Sequence, residues 1–463
     1  MAGRGERFPA GWGARDVALR VLVAVEEADA FATLSLHGQF KRAHLDAREA
    51  ALAAQLVYGT LRWMGRLDWQ LALFVDRPLE KLDPPVRNAL RLGLYQALFL
   101  RSIPVPVAVH ESVELVRRSG SRGAAGFVNA VLRKAVRANV RQLLPPLPSH
   151  PAQHLSIRYS HPLWLVERWL DRFGCLETAR LCLANNRWPP LSVRTNLLRT
   201  TRERLIAALA AEGVTAFPGC YAPEAVRVEH LTGIASSTSY REGLFQVQDE
   251  SSMLVAHILS PRKGDLVLDL CSAPGGKATH LAEYMSDSGR VIAFDPNPAK
   301  LRLVASAARR LGLSTIETRV ADAREVSGYA ADRVLVDAPC SGLGVIRRRP
   351  ELRWRQSPGN IRQLAHLQRE ILTAAARLVK PGGVLVYSTC TTEPEENQEN
   401  IRWFLNSHSN FRLDYASRFL PESAVSLQAA KVFLPGADGD FLQLWPHRQG
   451  TDGFFIARLT STQ

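Results

Sequence analysis

Two cysteines stand at the ends of apolar runs, where a packing residue is out of place. RVLVDAPCSGLG, Arg333 to Gly344, runs through Asp337-Ala338-Pro339 to Cys340. GGVLVYSTC, Gly382 to Cys390, ends in Ser388-Thr389-Cys390. Each apolar run reads as a buried parallel strand, with the cysteine at or beyond its end. Cysteine can be a small apolar filler. At a strand end it can also be a nucleophile or a proton carrier, provided the site favours the thiolate, because a free thiol titrates near about 8.5. Lys277 is a candidate for that task, and could equally pair with Asp337.

A third stretch, DLCSAPGGKATH from Asp269 to His280, follows another strand and opens a helix. Pro274-Gly275-Gly276 gives a tight turn that lets backbone approach a ligand. The helix N-terminus behind it favours a carboxylate or phosphate. The pattern is not GxGxxG, which weighs against a nicotinamide-dependent oxidoreductase. Asp295 and Asp322 end the next two strands. An acid at Asp295 can accept from both hydroxyls of a ribose, and Asp322 is placed to meet an adenine edge. Together they indicate a nucleoside-bearing ligand.

These residues need a parallel sheet to bring them together. From about Gly243 onward, strands alternate with helices, which implies a doubly wound α/β domain with helices on both faces. In a sheet ordered 3-2-1-4-5, Cys340 after the fourth strand and Cys390 after the fifth face the same cleft as the glycine turn. Geometry of this kind makes both cysteines plausible and chooses neither. ARDVALRVLVAVEE, AREAALAAQLVYGTLRWMGRLDWQLALFV, DPPVRNALRLGLYQALFL and VAVHESVELVRR carry apolar residues at helical spacing, with Asp83-Pro84-Pro85 as a helix start, and residues 14–138 read as an all-α bundle. LLPPLPSHPAQH, Leu143 to His154, reads as a linker. HPLWLVERWLDRFG is an amphipathic helix ending at Gly174, followed by Cys175 and Cys182 as core positions. A small α+β module is expected near 190–235. The expected domains are 1–141, helical; 142–240, linker and small RNA-binding module; and 241–463, catalytic.

The three cysteine and glycine motifs resemble those of the RNA cytosine-5 methyltransferases, in DLCSAPGGKATH, DAPCSGLG and YSTCTTEPEENQ. LFQVQDESSMLVA and LWPHRQGTDGFFIARL are similar to that family too, and residues 14–138 resemble the NusB-like RNA-binding domain that precedes the enzyme in one branch. The resemblance implies a Rossmann-like class I AdoMet-dependent methyltransferase domain behind a NusB-like domain. It implies that Cys271, Ser272, Ala273, Pro274, Gly275, Gly276 and Lys277 wrap S-adenosyl-L-methionine (AdoMet). Ser272 stands where many relatives have alanine. Asp295 would then take the ribose, Asp322 the adenine end and Asp337 the methyl-donor side. It also makes Cys390 the nucleophile and Cys340 the thiol that assists proton removal and release. DNA cytosine methyltransferases use the Pro-Cys cysteine instead, and lack the Ser-Thr-Cys motif. The implied substrate is 16S ribosomal RNA, at cytosine 967. Transfer RNA is the alternative that the NusB-like domain disfavours. A non-catalytic RNA-binding factor is disfavoured by the intact Cys340, Cys390, Lys277 and Asp337.

Composition agrees. The 463 residues suggest roughly three domains at about 150 each. The net charge of +14 favours a polyanion partner. Residues 1–141 alone carry 21 basic and 13 acidic side chains, a surplus of eight. IRRRPELRWR, Ile346 to Arg355, sets five arginines around Trp354 beside the cleft, as if to bind phosphates and stack on a base. The six cysteines and twelve histidines show no metal-ligand spacing, so no metal is expected. No long uncharged apolar stretch or secretory signal appears. A monomer in the reducing cytoplasm, with no membrane partner, is the expectation.

Overall fold

The computed structural model describes residues 12–138, 143–229, 233–429, 433–435 and 439–462. The chain forms two compact units. One joins residues 1–187 to 346–355; the other joins 188–345 to 356–463.

The first unit is helical, with Ala14–Glu27, Ala32–Ala43, Ala47–Ala72, Pro84–Phe99, Val105–Arg118 and Ala125–Arg137 around one core that includes Leu22, Leu56, Leu67, Leu71 and Leu90. Asp46 caps the longest helix, accepting from Glu49 N at 2.8 Å. Asp83 sits at its expected cap position but its side chain makes no cap bond, so the prolines alone mark that start. Helix Ala32–Ala43 buries only Ala32 and Leu36, which explains its weak periodicity. The expected linker already turns helical at Pro151, in Pro151–Tyr159. Gly174 breaks Leu163–Asn186 with φ +70°. Beyond it Cys182 is buried, its thiol pushed up to about 12 by that burial, whereas Cys175 is exposed and not part of the core.

Within residues 346–355 the expectation of phosphate binding and base stacking is corrected for Arg347, Arg353, Trp354 and Arg355, while Arg349 stays exposed. Arg347 and Arg353 are buried. Arg353 donates to carbonyl oxygens of Ser160 (3.0 Å) and Asn185 (3.1 Å) and to Asn186 Oδ1 (2.9 Å). Trp354 Nε1 donates to Leu61 O at 2.9 Å, and its ring lies against Gly65, where a Cβ would approach it to 2.5 Å. Arg355 donates to Ala30 O at 2.7 Å. These side chains satisfy backbone carbonyls inside the helical unit, so Trp354 is not an open stacking platform.

The second unit holds two sheets. Strands β1 (Leu191–Thr195), β2 (Thr215–Pro218), β3 (Ala225–Glu229) and β4 (Phe245–Val247) form an antiparallel sheet ordered β2-β3-β1-β4, with helix Arg202–Ala211. The large sheet contains β5 (Leu266–Asp269), β6 (Arg290–Asp295), β7 (Ile316–Val320), β8 (Ala331–Asp337) and β9 (Val379–Thr389), all parallel. Antiparallel additions are β10 (Phe411–Leu413), β11 (Phe433–Pro435), β12 (Asp440–Leu444) and β13 (Phe454–Ser461). Its order is β11-β12-β13-β9-β8-β5-β6-β7, so the parallel part has the anticipated 3-2-1-4-5 arrangement. Side chains alternate between two layers, as the period of two requires. Val267 and Leu335 pack with helices Glu250–Leu259, Gly276–Tyr284 and Pro298–Leu311. Leu268, Val334 and Val336 pack with Pro358–Ala376 and Gln398–Ser407.

One buried cluster joins the small sheet to the helices behind it. Glu224 Oε1 lies 3.0 Å from His257 Nε2 and 3.1 Å from His280 Nε2. No sequence spacing revealed this grouping. Two ring nitrogens converge on one carboxylate oxygen while His280 Nδ1 meets no partner, which is the pattern of a hydrogen-bonded triad with both Nε2 atoms protonated. Burial, reinforced by Arg194, pushes His280 down to about 4. Burial alone would raise Glu224, but the two imidazole bonds outweigh it and hold the carboxyl well below its usual range.

Two measurements follow. Removing the Arg353 guanidinium orphans several buried acceptors, so Arg353→Leu is expected to lower unfolding free energy by roughly 3 kcal/mol in urea titrations of the full chain; an unchanged midpoint would contradict this. Below pH 6.5 the unfolded chain binds a proton that folded His280 refuses, so stability falls as pH drops from about 6.5 to 4. Glu224 adds a loss of the same sign at lower pH. His280→Gln is expected to remove up to about 3 kcal/mol of the decline between pH 7 and 4.5, read from urea midpoints at both pH values.

Candidate active site

β5 delivers Asp269 to the carboxyl edge of the sheet, and the chain then turns sharply into helix Gly276–Tyr284. Gly275 takes φ +102°, and a Cβ there would stand 3.0 Å from the Val304 backbone, so this turn admits no side chain. Ser272 N is held by Phe294 O at 2.9 Å and Gly275 N by Ser272 O at 2.8 Å. The first turn of the helix is braced by Arg194, which is fully buried on β1. Arg194 donates to Gly276 O at 2.6 Å, Thr279 Oγ1 at 3.1 Å and Glu283 Oε1 at 2.8 Å, and also to Gln248. The sequence reading missed this residue. Its signal was a guanidinium in the middle of the apolar strand LSVRT.

Asp269 was also passed over as a site residue. Its carboxyl is fully buried, and neither oxygen meets a hydrogen-bond donor. Burial, with the Asp337 charge nearby, pushes it up to about 7. Ser272 Oγ is likewise buried without a partner. Asp295 Oδ1 accepts from Asn297 N at 2.8 Å at the end of β6. Asp322 is held by Arg324 at 2.8 Å, and that hydrogen bond keeps its carboxyl below the usual range. Burial raises the Cys271 thiol well above its ordinary value, as expected for a structural cysteine.

β8 and β9 pair in parallel with Asp337 opposite Ser388. That register sets Cys340 and Cys390 side by side, with their Sγ atoms 3.4 Å apart. Hydrogen bonding to Cys390, then burial, raises Cys340 well above the normal thiol range. Asp337 is gripped from two sides, by Ser388 Oγ at 2.9 Å and by Lys277 Nζ at 2.6 Å. Lys277 thus links the glycine-turn helix to β8, the pairing that was the alternative to its acting on a thiolate. The loops beyond the strands are also tied: Gly344 N donates to Cys390 O and Gly453 N to Gly344 O, both at 2.9 Å. A Cβ at Gly344 would fall 2.0 Å from Gly453 O and 2.7 Å from Cys390 O.

Both thiols, the lysine–aspartate pair and the glycine turn thus share the edge formed by β5, β8 and β9. Asp295 and Asp322 end the neighbouring β6 and follow β7. The arrangement can hold an elongated nucleoside ligand along one side and present a thiol pair on the other. The residues added by the structure are Asp269, Arg194 and, between the two cysteine loops, Glu396. The carboxylate of Glu396 is fully buried and accepts from Ser341 N at 2.8 Å.

Similarity to known proteins falls in three successive parts of the chain. The family profile described as 16S rRNA methyltransferase RsmB/F matches residues 256–460. The NusB family matches 13–137, and a ferredoxin-like domain of RsmF/B-like methyltransferases matches 161–235. The chain is 40% identical over 450 residues to the probable ribosomal RNA small subunit methyltransferase B of Bacillus subtilis, covering 96% of this chain and 98% of that one. It is 34% identical over 422 residues to ribosomal RNA small subunit methyltransferase B of Sodalis glossinidius, covering 90% and 91%. Among solved structures, the crystal structure of PH0851 superposes with a TM-score of 0.81 at 30% identity, over 98% of this chain and all of that one. NSun6 from Pyrococcus horikoshii, crystallised with SFG, shares the fold at a TM-score of 0.57 and 24% identity, over 65% of this chain and 98% of that one. With a relative of 40% identity along nearly its whole length, the chain belongs to the ribosomal RNA small subunit methyltransferase B family, RNA methyltransferases with a helical NusB domain ahead of a Rossmann-like catalytic domain.

Proposed function

We propose that the protein methylates C5 of a cytosine in 16S ribosomal RNA, cytosine 967 by family resemblance, using AdoMet and a covalent bond between Cys390 and C6 of the base. The observation that carries this reading is the thiol pair: two cysteines whose Sγ atoms lie 3.4 Å apart at adjacent strand ends. A base-directed nucleophile needs one thiol as an anion and a neighbour able to donate to it. The Cys340 S–H serves Cys390 in that way. Addition of the Cys390 thiolate to C6 makes C5 electron-rich. AdoMet, when bound, supplies the electrophilic methyl group. Once C5 carries the methyl group, its proton passes to a solvent base that Cys340 helps to place, and the electron pair left behind re-forms the C5–C6 double bond as the Cys390 sulfur departs as a thiolate. The cytosine has to come from a loop or leave its helix to reach both thiols.

The cofactor side fits the residues present. The turn from Cys271 through Gly276 brings backbone to the carboxyl edge of the sheet, and Gly275 keeps it there because a Cβ would meet Val304. Asp269 and Ser272, buried side by side with no hydrogen bond of full geometry, could meet the donors and acceptors of an amino-acid moiety. Asp295 would hold ribose hydroxyls and Asp322 the adenine end. Asp337, fixed by Lys277 and Ser388, would line the methyl-donor side. That a fold neighbour was crystallised with SFG, an AdoMet analogue, supports the choice of cofactor. Cytoplasmic location and action as a monomer belong to the same reading.

The substrate is tested by bisulfite mapping of 16S RNA from a deletion strain; if every 16S cytosine keeps its modification there, the assignment fails. The chemistry is tested by substitution in the full-length enzyme. Cys390→Ala is expected to lower turnover at least about 10⁴-fold and to abolish any protein–RNA adduct on denaturing gels. Cys340→Ala should still form the adduct, which then accumulates because release is impaired. An adduct kept in Cys390→Ala and lost in Cys340→Ala would reverse the two roles.

A further inference from the structure

Glu396 ends a single helical turn, Pro394–Glu396, six residues beyond Cys390. Its side chain is completely buried. A carboxylate in such a place costs several kcal/mol unless donors surround it. Three do: Ser341 N at 2.8 Å and Gln368 Nε2 at 3.0 Å on Oε1, and Ser341 Oγ at 2.5 Å on Oε2. Gln368 Nε2 also reaches Pro339 O at 2.9 Å. The residues on both sides of Cys340 are thus fastened, Pro339 through Gln368 and Ser341 through Glu396. With the Ser341 hydroxyl proton given to Glu396, its oxygen accepts from Thr391 Oγ1 at 2.8 Å. Thr391 directly follows Cys390. One carboxylate therefore sets the direction of a hydrogen-bond chain that spans both cysteine loops. A neutral amide of the same shape would turn an NH2 group toward one of these donors and break the sequence.

We propose that Glu396 is a positioning residue that, through Ser341, seats Cys340 against Cys390 and is needed to release the covalent RNA intermediate rather than to form it. This rests on the roles proposed above for the two cysteines. A residue that only filled space would lower stability and all catalytic steps together. Glu396 instead separates adduct formation from turnover.

The test compares full-length Glu396→Gln, Ser341→Ala and Cys340→Ala, each with a transcribed 16S RNA fragment and labelled AdoMet. Turnover, adduct on denaturing gels and RNA affinity are measured, with thermal unfolding as the folding check. Loss of a hydrogen bond to a buried charge should slow turnover of Glu396→Gln by about 10- to 100-fold. Adduct should accumulate as in Cys340→Ala, with RNA affinity unchanged. Ser341→Ala keeps the fold's volume and should accumulate adduct to a lesser degree, so it reports even if Glu396→Gln does not fold. Adduct trapped in Cys340→Ala but in neither other variant overturns the role of Glu396 alone. No adduct in Cys340→Ala overturns the cysteine reading, and the Glu396 role with it. Turnover of folded Glu396→Gln close to that of the unchanged enzyme also overturns the proposal.

Discussion

The parallel register of β8 on β9 is the constraint on which the site depends. Opposing Asp337 to Ser388 fixes where both strands stop, and thereby places two thiols within 3.4 Å. A slip of one residue would send every side chain of the strand to the opposite face. It would exchange Val334 and Val336 with Leu335 between two packed layers. The hydrophobic alternation of the strands thus guards the thiol geometry, although no apolar side chain takes part in the chemistry. Asp337 marks the point where that packing ends and polar contacts with Lys277 and Ser388 begin.

Around this edge, charged groups are used in two ways. Lys277 and Asp337 face the cleft and compensate each other. Arg194, Glu283, Glu224 and Glu396 are buried: Arg194 and Glu396 hold backbone and loop atoms, Glu283 holds Arg194, and Glu224 holds His257 and His280. Arg194 bridges a strand of the small sheet to the first turn of the cofactor-side helix, so the small module is tied into the large sheet's helices: it stiffens the helix that carries Lys277. Glu396 performs the comparable task for the cysteine loops.

Much of this was legible in the sequence. The five parallel strands, their order and the convergence of Cys340, Cys390, Asp337 and Lys277 follow from alternating strand and helix patterns that end in polar motifs. What escaped detection depended on partners distant in the chain. Arg194 and Glu396 look like ordinary charged residues until Glu283 and Ser341 are placed beside them. Helix Ala32–Ala43 has too small a buried face to show a period. Short strands β2 and β4 gain their identity from β3 and β1. The arginine-rich segment misled in the opposite direction: composition suggested phosphate binding, but Arg353 and Trp354 are consumed by internal carbonyls.

The placement of residues 346–355 within the helical unit also bears on how the protein is made. An N-terminal domain ordinarily can fold once it clears the ribosome. Here Arg353 is required to satisfy carbonyls at Ser160 and Asn185, yet it is synthesised long after Arg187. At typical translation speeds the interval is roughly ten to thirty seconds. The helical unit must wait, incomplete, while the cofactor-side strands emerge. Its last contacts arrive only with the stretch of chain that follows Cys340, so the nascent catalytic core and the final closure of the helical unit are coupled in time.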